Sequence, residues 1–266
     1  MTPLQLRKRI FSYYQAHGRH DLPWRHTKDP YEILVSEVML QQTQVNRVIP
    51  KYDAWLKTFP TLTALAQAPT QKLLQQWMGL GYNNRALRLR ECAREIVRNY
   101  KGEFPRDITT LESLPGIGPY TARAIATFAF EQSHIFIETN IRAVILHQFF
   151  KDKRGVDDQE LLPYLSKVVA RQNPRTMYYA LMDYGSYLKS IHPNPSRKSK
   201  HHQKQSTFKG SFRQKRSMVT KLLLHAPQTT RSLRNATQFS PPLLKKVLSA
   251  LQKDKIILYR NGRYEI

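Results

Sequence analysis

The stretch Leu114-Pro-Gly-Ile-Gly-Pro-Tyr-Thr-Ala-Arg-Ala-Ile125 decides the reading of this chain. An apolar run stops at Pro115, glycines stand at 116 and 118, and a helix-compatible run opens at Tyr120. The pattern predicts a very short hairpin between two helices. Gly116 and Gly118 let the backbone approach a partner, and the amides opening the second helix suit a phosphate. On these residues alone an ordinary helix–helix turn explains the pattern equally well. The charge then bears on the choice: 43 Lys+Arg against 19 Asp+Glu give a formal +24, a field that attracts polyanions.

Working outward, 266 residues allow one large domain or two modest ones, and 41% hydrophobic residues can build a core. An anionic membrane surface is the other partner a basic chain can take, but no run of eighteen apolar residues exists to span a bilayer. The amphipathic N-terminus, Met1 to Tyr14, lacks a continuous apolar signal-peptide core. Cys92 is the only cysteine, so neither an internal disulfide nor a cysteine-ligated zinc or iron–sulfur site can form. The expected compartment is the reducing cytoplasm, on the nucleoid. Cys92 falls in a helical pattern with Leu89, Ala93 and Ile96 and reads as a small core residue.

Residues 4–188 read as almost wholly helical, with about eight to ten helices from apolar spacings of three and four. Ile33, Leu34 and Val38 show the spacing, as do Leu73, Leu74 and Trp77. Prolines punctuate the segments, several at helix starts. Ile135-Phe-Ile137 is too short to assign as a strand. From Lys189 the composition turns basic and polar, predicting a mobile linker over 189–211. Periodicity returns over 212–266. Met218, Leu222 and Leu223 suggest one helix and Thr230–Ala236 a second. Ser240 and Pro241 open a third through Leu251. A hairpin follows, turning at Asn261-Gly262. Three helices and a hairpin resemble a winged helix, a module that serves either DNA or protein recognition. Lys245, Lys246, Arg260 and Arg263 favour DNA. The expected architecture is an all-α domain over 1–188, the linker, and a small α+β winged-helix-like domain over 212–266.

Further segments stand around the hairpin in order: Leu22-Pro-Trp-Arg25, then Ser36-Glu-Val-Met-Leu-Gln-Gln-Thr-Gln-Val45, then Trp77-Met-Gly-Leu-Gly-Tyr-Asn-Asn-Arg-Ala86. After it come Ile137-Glu-Thr-Asn-Ile-Arg142 and Ala180-Leu-Met-Asp-Tyr-Gly185. Together they resemble the helix-hairpin-helix (HhH-GPD) DNA glycosylases of the endonuclease III superfamily, most closely the MutY-like adenine-DNA glycosylase branch. The resemblance covers residues 4–190. It implies a two-lobed α-helical domain that flips one nucleotide out of duplex DNA into a cleft, since the bond to be cut is inaccessible in the stack.

Base excision needs an acid for the leaving base, a fixed anion for positive charge on the sugar, and a wedge for the vacated stack. Glu37 suits the acid: it sits among Ile33, Leu34, Val35, Val38 and Met39, where burial raises a carboxyl pKa. By periodicity alone it is a helix-surface glutamate; by resemblance it is the proton donor. The resemblance makes Gln41, Gln42 and Tyr82 the wedge residues, and Arg25, Gly116, Gly118, Thr121 and Asn140 further DNA contacts. It also matches Glu138 to the family's aspartate, one methylene longer, as sugar-cation stabiliser or water activator; the local alternative is an acid favoured by the helix dipole. Tyr120 stands where strand-cutting relatives carry a Schiff-base lysine, so the implied reaction is base release without strand cleavage.

The chain departs from the family pattern twice more. No cysteines follow Gly185, where the family binds a 4Fe–4S cluster, so no cofactor is expected beyond an optional monovalent cation at the hairpin. The winged-helix-like segment replaces the family's reader of oxidised guanine. The expected partner is double-stranded DNA with a mispaired or damaged base, and the expected state a monomer. Adenine opposite guanine or oxidised guanine is the first substrate reading. Uracil or thymine opposite guanine is the second, and a catalytically impaired DNA-binding protein the third.

Overall fold

The computed structural model describes residues 1–203 and 207–266. The chain runs α1 (Pro3–His17), a 3-10 turn at Pro23–Arg25, α2 (Pro30–Leu40), α3 (Val45–Thr58), α4 (Leu62–Ala66) and α5 (Thr70–Trp77). It continues through α6 (Asn84–Asn99), α7 (Ile108–Ser113), α8 (Pro119–Phe130), α9 (Thr139–Phe149), α10 (Asp158–Val169) and α11 (Pro174–Ile191). A second 3-10 turn, Pro195–Lys198, precedes α12 (Phe212–His225), α13 (Thr230–Thr237), α14 (Pro241–Lys253), β1 (Leu258–Arg260) and β2 (Arg263–Glu265). Eleven α-helices therefore occupy the stretch for which about eight to ten were expected. The apolar spacing of Leu62, Leu65 and Ala66 marks α4, whereas short helices such as α7 carry too few apolar positions for periodicity to resolve.

Local chemistry sets the helix starts. Thr2 and Asp157 form reciprocal capping boxes with Gln5 and Glu160. Thr61, Asp107, Asn173 and Ser211 each accept a backbone N–H from the first turn of their helix. Ser240 stands at the cap position of α14 but makes no such bond, contrary to expectation; Pro241 at the first position supplies the fixed backbone instead. Pro50 and Pro163 lie inside α3 and α10 rather than at their starts.

The chain divides into two compact units. The first combines residues 1–37 with 104–203, and α11 is its central helix, packed on α9, α1, α8 and α10. Gly185 lets α11 approach α9: a Cβ there would lie 2.2 Å from the Asn140 carbonyl oxygen. Phe136 stacks on Tyr178 at 3.9 Å and Phe128 on Tyr179 at 4.5 Å. The expected linker over 189–211 starts later than composition suggested. Lys189 and Ile191 belong to α11, and the 3-10 turn packs against α9, where Ser196 donates to the Thr139 carbonyl. Ser199 pairs in parallel with Val156. Apolar content is low here because backbone pairing and two buried serines, Ser196 and Ser199, rather than a hydrophobic face, hold the segment. Residues 204–206 of the expected linker lie outside the described residues.

The second unit combines residues 38–103 with 207–266. Trp55 and Trp77 pack edge-to-face at 5.3 Å in its core, among Leu65, Leu73, Ala93 and Ile96. Cys92 is buried there and its thiol is pushed up to about 12 by desolvation, an inert core group. The C-terminal helices α12–α14 join this unit through α5, where Gln71 donates to the Leu224 carbonyl. β1 and β2 pair antiparallel, with Tyr259 opposite Tyr264. Asn261 and Gly262 turn between them at φ 49° and 74°, the twist-matched hairpin geometry. Gln228 adds a bridge to Tyr264. The division thus cuts across the continuous 1–188 domain that was expected, and α2 changes unit after Glu37.

Candidate active site

Residues 114–118 form the predicted tight hairpin between α7 and α8. The Ile117 amide closes it onto the Leu114 carbonyl, and Gly116 takes φ 81°, a value costly for any residue with a side chain. Gly118 occupies the cap position of α8 and offers no side-chain oxygen, so the helix opens without a side-chain cap. Tyr120 follows in the first turn. Its hydroxyl donates to Glu37 Oε2 at 2.9 Å, joining two residues 83 positions apart.

Glu37 is 7% exposed. Desolvation raises its pKa to about 7, the Tyr120 bond opposes this, and the Glu138 charge adds to it. Tyr120 is itself held well above the usual phenol range by burial and by the two carboxylates, so it stays a neutral donor. Glu138 is half-buried and caps α9. Its Oε1 accepts the Asn140 and Ile141 amides at 2.7 and 2.8 Å, and its Oε2 accepts Asn140 Nδ2 at 3.0 Å. Burial raises its pKa, while these amides, Lys189 and Arg142 pull it down. Glu37 thus titrates near neutrality, while Glu138 is raised on balance by its burial and its charged form is supported by the N–H donors that it accepts. That pairing places two carboxyl groups of different surroundings in one unit, one held by a phenol and one by backbone amides.

The wedge candidates gather in the second unit. α2 ends at Leu40, and Gln41 and Gln42 follow in a turn with Gln42 at φ 55°. Tyr82 is 42% exposed at φ 49°. These residues, with Asn84, Arg85 and Arg88, line a cavity of ≈ 290 Å³. Arg85 was not singled out in the sequence, although it lies in the quoted Trp77–Ala86 segment. Its guanidinium donates to the carbonyls of Val38, Gln41, Leu80 and Gly81, pinning the two wedge turns to each other.

Three expected DNA contacts sit elsewhere. Arg25 is buried in a bidentate pair with Asp183, at 2.7 and 2.8 Å, and lies 4.5 Å from the Tyr179 ring centroid. Its position is structural, because a desolvated guanidinium needs an anion inside the fold. Thr121 is 3% exposed in α8, facing the core. The Asn140 side chain is engaged in holding Glu138. Among the described residues no His, Cys, Asp and Glu side chains group as metal ligands. A four-thiolate cluster does not fit this chain, whose one thiol is buried in α6.

A tight glycine hairpin feeding a helix whose tyrosine holds a buried carboxylic acid defines a helix-hairpin-helix fold with an acid site. The sequence model of the HhH-GPD superfamily base excision DNA repair proteins matches residues 35–171. An adenine DNA glycosylase of Mycolicibacterium smegmatis is 49% identical over 137 residues, 51% of this chain and 46% of that protein. The adenine DNA glycosylase of Homo sapiens is 43% identical over 145 residues, 51% of this chain and 26% of that protein. A solved thermostable thymine-DNA glycosylase superposes with TM-score 0.61 at 27% identity, covering 74% of this chain and 91% of that one. A non-covalent endonuclease III–DNA complex matches in fold, with TM-score 0.60 at 23% identity, covering 73% and 90%. The chain belongs to the HhH-GPD superfamily of base excision DNA repair proteins. It spans about half the length of these bacterial curated relatives.

Proposed function

We propose that the protein is a DNA glycosylase that hydrolyses the N-glycosidic bond of one extruded base, with adenine as that base. The observation that carries the reading is Glu37, a buried carboxyl held by Tyr120 with its pKa raised to about 7. Glu37 gives its proton to the base as the bond from sugar to nitrogen breaks. The Glu138 carboxylate stabilises the cationic sugar. Water adds its hydroxyl at the sugar carbon, and its other proton restores the acid, leaving an abasic site. Tyr120 holds Glu37 and has no amine to form a Schiff base, so no strand cleavage accompanies release. The identity to adenine DNA glycosylases supports adenine. The likeness to the thymine-DNA glycosylase supports a second reading, thymine or uracil opposite guanine.

The test is incubation with labelled duplexes carrying A opposite oxidised G, A opposite G, T opposite G, or U opposite G, followed by alkali. Breaks at the A-containing duplexes, and only after alkali, are expected. Breaks at T or U opposite G select the second reading. Glu37→Gln abolishes release while duplex binding persists; equal turnover in that variant removes Glu37 from the mechanism.

A further inference from the structure

The exposed ring of Tyr82 carries a guanidinium from the far end of the chain. Arg213, in the first turn of α12, places its Cζ 5.0 Å from the Tyr82 ring centroid and donates to the Tyr82 hydroxyl. The two residues are 131 positions apart. This arginine does not hang from a loose segment. Ser211 caps α12 by accepting the Gln214 amide, Arg216 pairs with Asp254 of the same module, and Lys246 lies over Phe212. Gln71 ties α12 to α5. Beneath the ring, Arg85 fixes the turns that carry Gln41 and Tyr82. The C-terminal helices therefore set a planar cation on the ring of Tyr82, a residue that lines a cavity with Gln41 and Gln42.

An unpaired nucleobase offers a π-face and two polar edges. Aromatic rings and arginine planes stack on the face, and the arginine fork matches the O6 and N7 acceptors of guanine. We propose that Arg213 is a specificity-determining residue that reads the base left opposite the extruded nucleotide and selects a guanine there. The assignment rests on the reading that this chain extrudes a base from a duplex. A purely structural latch between Arg213 and Tyr82 would affect wedge stability without regard to base identity.

The experiment is fluorescence anisotropy of the full chain on duplexes bearing a tetrahydrofuran abasic analogue opposite G, A, C or T. The wild type binds the G duplex at least about fivefold tighter than the others. Arg213→Ala brings the four affinities within about twofold of one another, as does Arg213→Lys, which keeps the charge and loses the fork. Melting temperatures of the variants confirm that each folds. Equal binding of all four duplexes by the wild type, no binding of any, or a G preference retained in either variant overturns the assignment. The measurement needs no cleavage. A G preference that depends on Arg213 in a protein that releases no base would sink the glycosylase reading and leave this site standing.

Discussion

Glu37 shows what burial does to a single carboxyl. Its surroundings raise the pKa from 4.5 to about 7, so the folded chain keeps a proton that the unfolded chain releases. A folded-state pKa above the unfolded one gives stability that is present at low pH and lost on the way up. Below pH 4.5 the wild type and Glu37→Gln should be equally affected by pH. Between pH 4.5 and about 7 the wild type should lose up to about 3 kcal/mol relative to the variant, read from urea unfolding at each pH. A difference that stays flat across this window would place Glu37 in water. Apolar neighbours surround the same residue in the sequence, yet periodicity alone left it on the helix surface, and only the fold shows it buried. Arg25 was misread, because its motif marked it as important without saying whether its partner is a phosphate or Asp183.

Helices meet in this protein where small or charged residues permit it. Gly185 of α11 stands against Asn140 at the start of α9, and the nearest obstacles are backbone atoms at 2.2 and 2.6 Å. Gly185→Ala must therefore push α11 away from α9, costing about 1–3 kcal/mol by chemical unfolding. Because Glu138 caps α9, base release should slow in the same variant. Asp183 of α11 binds both Arg19 and Arg25, with side-chain exposures of 2% for Asp183 and 5% for Arg25. Burial alone would raise the Asp183 pKa, but the arginines outweigh it and hold it below the usual carboxylate range. Its contribution is present above the unfolded pKa and fades as pH falls through the lower folded value. Asp183→Asn leaves the Arg25 guanidinium without its anion and should cost about 3–5 kcal/mol near neutral pH, with the deficit shrinking in acid. An unchanged unfolding midpoint at pH 7 would contradict the ion-pair assignment.

Across the whole molecule the formal charge of +24 dominates. Among the described residues no helix is long and apolar enough to cross a membrane, and the DNA reading gives that charge a polyanion to meet. Affinity for an undamaged duplex should fall at least about a hundredfold between 50 and 200 mM salt, in a straight line on logarithmic axes. A flat line would mean the lysines and arginines do not meet phosphates. Two compact units, each assembled from separated stretches of chain, carry Glu37 and Tyr82 respectively.

The helices, the glycine hairpin at 114–118 and the Asn261-Gly262 turn were legible along the chain, because apolar period, caps and turn residues act over a few neighbouring positions. Helix α7 and the paired segment after Ile191 were not, since neither has a periodic face. Partnership was hidden as well. Tyr120 meets Glu37 across 83 positions and Arg213 meets Tyr82 across 131, while Arg85 is spent on five carbonyls. Whether a charged or polar group is desolvated, and by what it is then satisfied, depends on residues brought close by folding, and no local pattern records that.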